Sequence, residues 1–93
     1  MNKLEQSRLD IEKIDKQMIE LFEKRMSLVR EVVAYKKENN MPIFQPDREK
    51  TLTEKNISLL SNPDLAKYYR TFFEGVLKSS KEYQEDNLWK DMH

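Results

Sequence analysis

The chain has no cysteine, one glycine, three prolines and a single histidine, His93, at its last position. Without cysteine there is no disulfide framework and no thiolate metal site. With its one histidine at the terminus, the chain is not expected to use imidazole chemistry. So little glycine and proline leaves few turns, which predicts few helices and long ones. No apolar run approaches about 18 residues, so no membrane span is expected. Residues 1–20 lack the apolar block of a signal peptide, and a cytoplasmic location is expected. The 17 basic and 17 acidic residues cancel. That balance predicts no general affinity for nucleic acid, so a local basic cluster would carry meaning here. Ninety-three residues with 37% charged and 38% hydrophobic side chains suit one exposed helical domain, residues 1–93.

What the sequence does have is one long amphipathic stretch, Leu4 to Lys37. With Ile11 at a heptad a position and Ile14 at d, the seam runs Leu4, Ile11, Ile14, Met18, Leu21, Arg25, Leu28, Val32 and Tyr35. Arg25 stands at an a position, where an apolar residue belongs. A cation there is desolvated at a cost unless an anion meets it. Lys36 follows eleven residues later. On a helix the two lie about 20° apart in azimuth and roughly 16 Å apart along the axis, within joint reach of one small ligand with two negative ends. Arg8 lies about 25 Å before Arg25 and is turned roughly 100° aside, so one chain cannot bring it to the same place. A second copy running antiparallel about a two-fold axis near residue 19 or 20 would bring it between Arg25 and Lys36. A helix of about 34 residues spans roughly 50 Å. The remaining chain is too short to cover it, which also favours a dimer.

Further along, Glu38-Asn39-Asn40 ends the first helix, asparagine being suited to a left-handed cap. Met41 to Phe44 reads as an extended connector. Pro46 fits the first position of a second helix, with Gln45 a mediocre cap and the apolar side supplied by Leu52, Ile57, Leu59 and Leu60. That helix is expected to end near Leu60. Asn62 and Pro63 signal a third start. The third helix carries Leu65, Tyr69, Phe72, Val76 and Tyr83, widened by Tyr68, Phe73 and Leu77. Ser80 interrupts this stripe, and Gln84 follows one turn later on the same face. Gly75 could admit a close neighbour. The polar tail from Glu85, relieved only by Leu88, Trp89 and Met92, is expected to fray at its end.

The residues out of place are Arg8, Arg25, Lys36, Arg48, Glu49, Ser80 and Gln84. Taken singly each has a plain structural reading: a seam arginine paired with a glutamate, a solvated helix end, a helix start, a polar helix face. Taken together, the chain resembles the all-helical chorismate mutases over nearly its whole length. The resemblance rests on Arg8 with Ile11 and Asp15, on Arg25, on Lys36, on Pro46-Asp47-Arg48-Glu49, and on Ser80 and Gln84 as a Ser-x-x-x-Gln signature. Spacings between the first five key positions match the family pattern without gaps.

The resemblance implies an all-α fold of three helices per chain in an intertwined homodimer. It implies rearrangement of chorismate to prephenate, in phenylalanine and tyrosine biosynthesis, with no cofactor, metal or covalent intermediate. By that analogy Arg25 and Ser80 hold the ring carboxylate, and Arg8 of the other chain holds the side-chain carboxylate near Lys36. Lys36 and Gln84 donate to the ether oxygen, Glu49 accepts from the ring hydroxyl, and Arg48 supports the cationic wall. Many family members have aspartate where this chain has Gln45, near that hydroxyl. Two other functions compete: a lyase releasing pyruvate from isochorismate on the same fold, and a non-catalytic helical dimerisation module.

Overall fold

The computed structural model describes residues 1–92, with side-chain surroundings through residue 87. The expected fraying of the tail and the placement of His93 lie outside the described residues. Three α-helices and one short 3-10 turn follow in order: α1 (Lys3–Glu38), α2 (Pro46–Ser58), the turn Pro63–Leu65, and α3 (Ala66–Met92). The described residues contain no strand, so the fold is all-α.

Local chemistry sets the boundaries. Asn2 caps α1 by accepting from the Glu5 backbone N–H at 2.8 Å, and Glu5 and the pair Lys36 and Lys37 complement the two ends of the helix dipole. Asn40 takes the left-handed conformation, φ 53°, while the Met41 N–H reaches back to the Lys36 carbonyl at 2.8 Å. The chain is thereby turned out of the helix. Pro46 opens α2, and Gln45 makes no side-chain cap bond. Asn62 caps the next start by accepting from Asp64 N–H at 3.0 Å. That cap opens a single 3-10 turn before α3 begins, where the sequence pattern predicts a continuous helix.

At 36 residues and about 1.5 Å per residue, α1 sets the 54 Å long axis of the molecule. Helix α3 lies along its C-terminal half in the same sense, since Arg25 meets Ser80 and Lys36 meets Gln84. Helix α2 packs on α3. The core between them is thin. Its buried apolar members are Val29, Val33 and Phe73, and no described side chain falls below 2% exposure.

Burial departs from the apolar pattern in α3 and α2, while the α1 seam stays uncovered within one chain. The α1 face that α3 covers is Val29, Val33 and Lys36, not the a/d seam beside it. The seam residues Leu4, Ile11, Ile14, Met18, Leu21, Leu28, Val32 and Tyr35 all remain exposed. In α3 the buried aromatic is Phe73, at 6% exposure, while Phe72 is 51% exposed. The buried stripe therefore runs Phe73, Ser80 and Gln84, and the serine that interrupts the apolar reading continues the true inner face. In α2 the buried residue is Thr53, whose hydroxyl donates to the Glu49 carbonyl at 2.8 Å. Leu59 lies beyond the helix and is exposed. A side chain at Gly75 would meet nothing within 4 Å, so no neighbour within this chain approaches it.

Candidate active site

Where α1, α2 and α3 converge they enclose a cleft of about 510 Å³. Its walls include Arg25 and Lys36 from α1, Gln45, Arg48 and Glu49 from the start of α2, and Ser80 and Gln84 from α3. Seven of the eight residues singled out in the sequence thus meet at one place. Arg8 does not: it sits on the exposed N-terminal half of α1, far along the helix from the cleft. Leu28, Val32, Tyr35, Leu52 and Leu77 provide apolar wall between the polar groups.

The polar groups hold one another in defined orientations. Lys36 is 9% exposed and donates to the Ile43 carbonyl at 2.9 Å and to Gln84 Oε1 at 3.0 Å. An ammonium has three donors, and the third has no protein partner among the described residues. Gln84, 6% exposed, has its oxygen occupied by Lys36, which leaves its amide NH₂ as a donor. The connector bends at Ile43, and the Ile43 carbonyl faces Lys36.

Arg25 is anchored through a short relay. The Ser80 hydroxyl donates to the Val76 carbonyl at 2.9 Å, and Arg25 Nη1 donates to Ser80 Oγ. One hydroxyl thereby fixes a guanidinium whose other donors have no protein partner among the described residues. Neither Arg25 nor Lys36 forms an ion pair with a carboxylate among those residues. Burial pushes both below their ordinary ranges. For Arg25 a smaller interaction with Tyr69 opposes the shift. For Lys36 repulsion from Arg48 adds to the shift and attraction to Glu49 opposes it. The guanidinium stays charged regardless. The cleft thus stores two cations whose natural complement is an anion from outside.

Sequence reasoning missed Lys81 and Glu31, which also line the cleft. Lys81 Nζ lies 3.2 Å from Glu49 Oε1 and 4.5 Å from the Phe44 ring centroid. Its position three residues before Gln84, on the same helix face, was the available signal. No group of three or more His, Cys, Asp or Glu side chains arranged to hold a metal occurs among the described residues. No described helix is long and apolar enough to cross a membrane.

A family model described as chorismate mutase type II matches residues 7–85 of the chain. The chain belongs to this family. Two curated relatives are similar to the chain. A protein named bifunctional chorismate mutase/prephenate dehydratase, from Buchnera aphidicola subsp. Schizaphis graminum, is 36% identical over 90 residues, covering 96% of this chain and 23% of that protein. A protein named T-protein, from Haemophilus influenzae, is 39% identical over 49 residues, covering 53% of this chain and 13% of that one. The chain therefore spans less than a quarter of the length of either relative. The chorismate mutase family match includes every cleft residue named above, and it includes Arg8.

Proposed function

We propose that residues 1–93 form one catalytic domain that isomerises chorismate to prephenate, in phenylalanine and tyrosine biosynthesis, in the cytoplasm. The observation that carries this reading is a pair of cations, half-buried Arg25 and buried Lys36, oriented by neutral partners and without an ion-paired carboxylate among the described residues. A planar carboxylate suits the fork of donors on Arg25. Ser80 holds that fork in place. Lys36 and the Gln84 amide offer donors on the opposite side of the cleft. Arg48 adds positive charge, and Glu49 offers an acceptor for the ring hydroxyl beside Gln45.

The chemistry follows from this arrangement. Gripping both carboxylates selects the folded conformer in which the two reacting carbons meet, which is the orientation share of the rate. As the carbon–oxygen bond lengthens, negative charge grows on the ether oxygen. The ammonium of Lys36 and the amide of Gln84 stabilise that charge without having to reorganise. A new carbon–carbon bond forms as the ether bond breaks within one molecule. No proton is transferred, so no base or nucleophile is required.

The second carboxylate needs a cation that one chain does not supply. Arg8 of a second copy is the candidate, in an antiparallel homodimer closed through the exposed α1 seam. Support comes from that uncovered seam, including Ile14, Met18, Leu21 and Leu28. It also comes from an apolar groove between α1 and α3, lined by Phe22, Met26, Phe72 and Val76. The test is direct. Purified protein is mixed with chorismate, and its absorbance is followed with product analysis. Prephenate as sole product supports the reading. Pyruvate release from isochorismate with no prephenate from chorismate would replace it with the lyase, and inertness toward both would leave a dimerisation module.

A further inference from the structure

The cleft contains a cation to which the reading above gives no task. Lys81 is neither a solvated helix lysine nor a contact to the outer surface. Its ammonium is held between the Glu49 carboxylate, 3.2 Å away, and the face of the Phe44 ring, 4.5 Å from the centroid. Its side chain is 30% exposed and that of Glu49 is 22% exposed. The contact joins three parts of the chain: Glu49 from α2, Phe44 from the connector, and Lys81 from α3. On α3 it stands between Ser80 and Gln84, the two residues that orient Arg25 and Lys36.

Two features set this pair apart from an ordinary surface ion pair, which contributes little. First, both partners line the same cleft as Lys36 and Arg48. Secondly, only Glu49 Oε1 is engaged. The other carboxylate oxygen has no protein partner among the described residues. A carboxylate held by one oxygen presents the second in a fixed direction. Without Lys81, Glu49 would be left between Lys36 and Arg48, the two cations that otherwise act electrostatically in this corner. It could then turn toward them and away from a ligand hydroxyl.

We propose that Lys81 is a positioning residue that aims the free oxygen of Glu49 into the cleft, where it accepts the hydrogen bond of the substrate's ring hydroxyl. This rests on the chorismate mutase reading. Because a hydroxyl contact is made equally in the ground and transition states, the pair governs binding more than the chemical step.

The experiment is a double-mutant cycle on the full chain, with KM and kcat measured separately. Lys81→Met keeps the length and apolar stem of the side chain but removes its charge. It is expected to raise KM about tenfold, the size of one charge-assisted hydrogen bond lost in part, while kcat changes by less than about twofold. Lys81→Arg, which keeps both the ion pair and the ring contact, is expected to restore KM. In a Glu49→Gln background Lys81→Met is expected to add nothing further. An unchanged KM in Lys81→Met, or an equal loss in both backgrounds, overturns the proposal and leaves the mutase assignment standing. Wild-type protein that does not convert chorismate overturns both. Circular dichroism of each variant separates a lost contact from a lost fold, and Lys81→Arg keeps the comparison usable should Lys81→Met not fold.

Discussion

Lys36 Nζ lies 3.0 Å from Gln84 Oε1, and that contact decides which end of the glutamine amide faces the cleft. The ammonium takes the oxygen, so the NH₂ is left to donate. Two donors, one charged and one neutral, then converge on the same side. Neither is useful alone. Lys36 without Gln84 loses half of its anchoring, and Gln84 without Lys36 is free to flip its acceptor inward.

Lys36→Ala is therefore expected to lower kcat by at least about 10³-fold, because it removes one donor and disorders the other. Gln84→Ala is expected to cost roughly 10²–10³-fold. Lys36→Arg should not rescue, since a planar fork cannot reproduce bonds to both the Ile43 carbonyl and Gln84. Steady-state kinetics check these values, and an unchanged far-ultraviolet circular dichroism spectrum shows that helices persist.

Activity should fall on the alkaline side below the ordinary lysine range, because burial and Arg48 depress the Lys36 ammonium more than Glu49 restores it. The limb is expected in kcat/KM, which reports the free enzyme. In kcat it should move to higher pH, since a bound dianion favours the charged lysine. Folding behaves oppositely. The folded chain releases this proton before the unfolded one does, so the Lys36 contribution to stability rises with pH through that window. Reversible loss of activity with intact helical signal is the expected result. Loss of both together would assign the limb to unfolding.

The exposed seam makes a prediction about assembly. In a lone chain Ile14 is 53% exposed, and Ile14→Glu would then shift stability by no more than about 0.5 kcal/mol. If the seam is the contact between two copies, the same change buries a carboxylate at two places in that contact. Sedimentation velocity is expected to show dimers for wild-type protein and monomers for the variant.

Shared sites predict complementation. Arg8→Ala and Lys36→Ala chains, each inactive, should regain activity when mixed in equal amounts and allowed to exchange. Half of the resulting dimers are hybrids, each with one whole site, so about a quarter of wild-type activity is expected. No recovery after exchange has been verified by a labelled chain would rule out Arg8 as a partner-supplied group.

Local signals in the sequence were the most legible. Pro46, Asn40 and Asn62 act through their own backbone geometry, which needs no knowledge of the rest of the fold. The helix type and order followed from periodicity and from the scarcity of glycine and proline. The inner face of α3 was harder. Phe72 and Phe73 are neighbours about 100° apart on the helix, and periodicity alone gives both an apolar stripe. What decides between them is the position of α1, a tertiary fact. The same reason hid Thr53 as the buried residue of α2. Among the cleft residues, Arg25 stood out because a cation in an apolar seam is anomalous. Lys81 did not, because a lysine beside two serines on a charged helix is ordinary until Glu49 and Phe44 are folded against it. Arg8 could be related to the cleft only through a symmetry that a single chain does not contain.

With only Val29, Val33 and Phe73 as buried apolar residues among the described ones, the solitary chain has little to hold it together on dilution. If two copies pair through the exposed seam, folding and association become one equilibrium, and the melting temperature is set as much by protomer concentration as by sequence. Each tenfold dilution would cost about 1.4 kcal/mol of apparent stability per dimer, so the amount of protein present becomes part of what keeps it active.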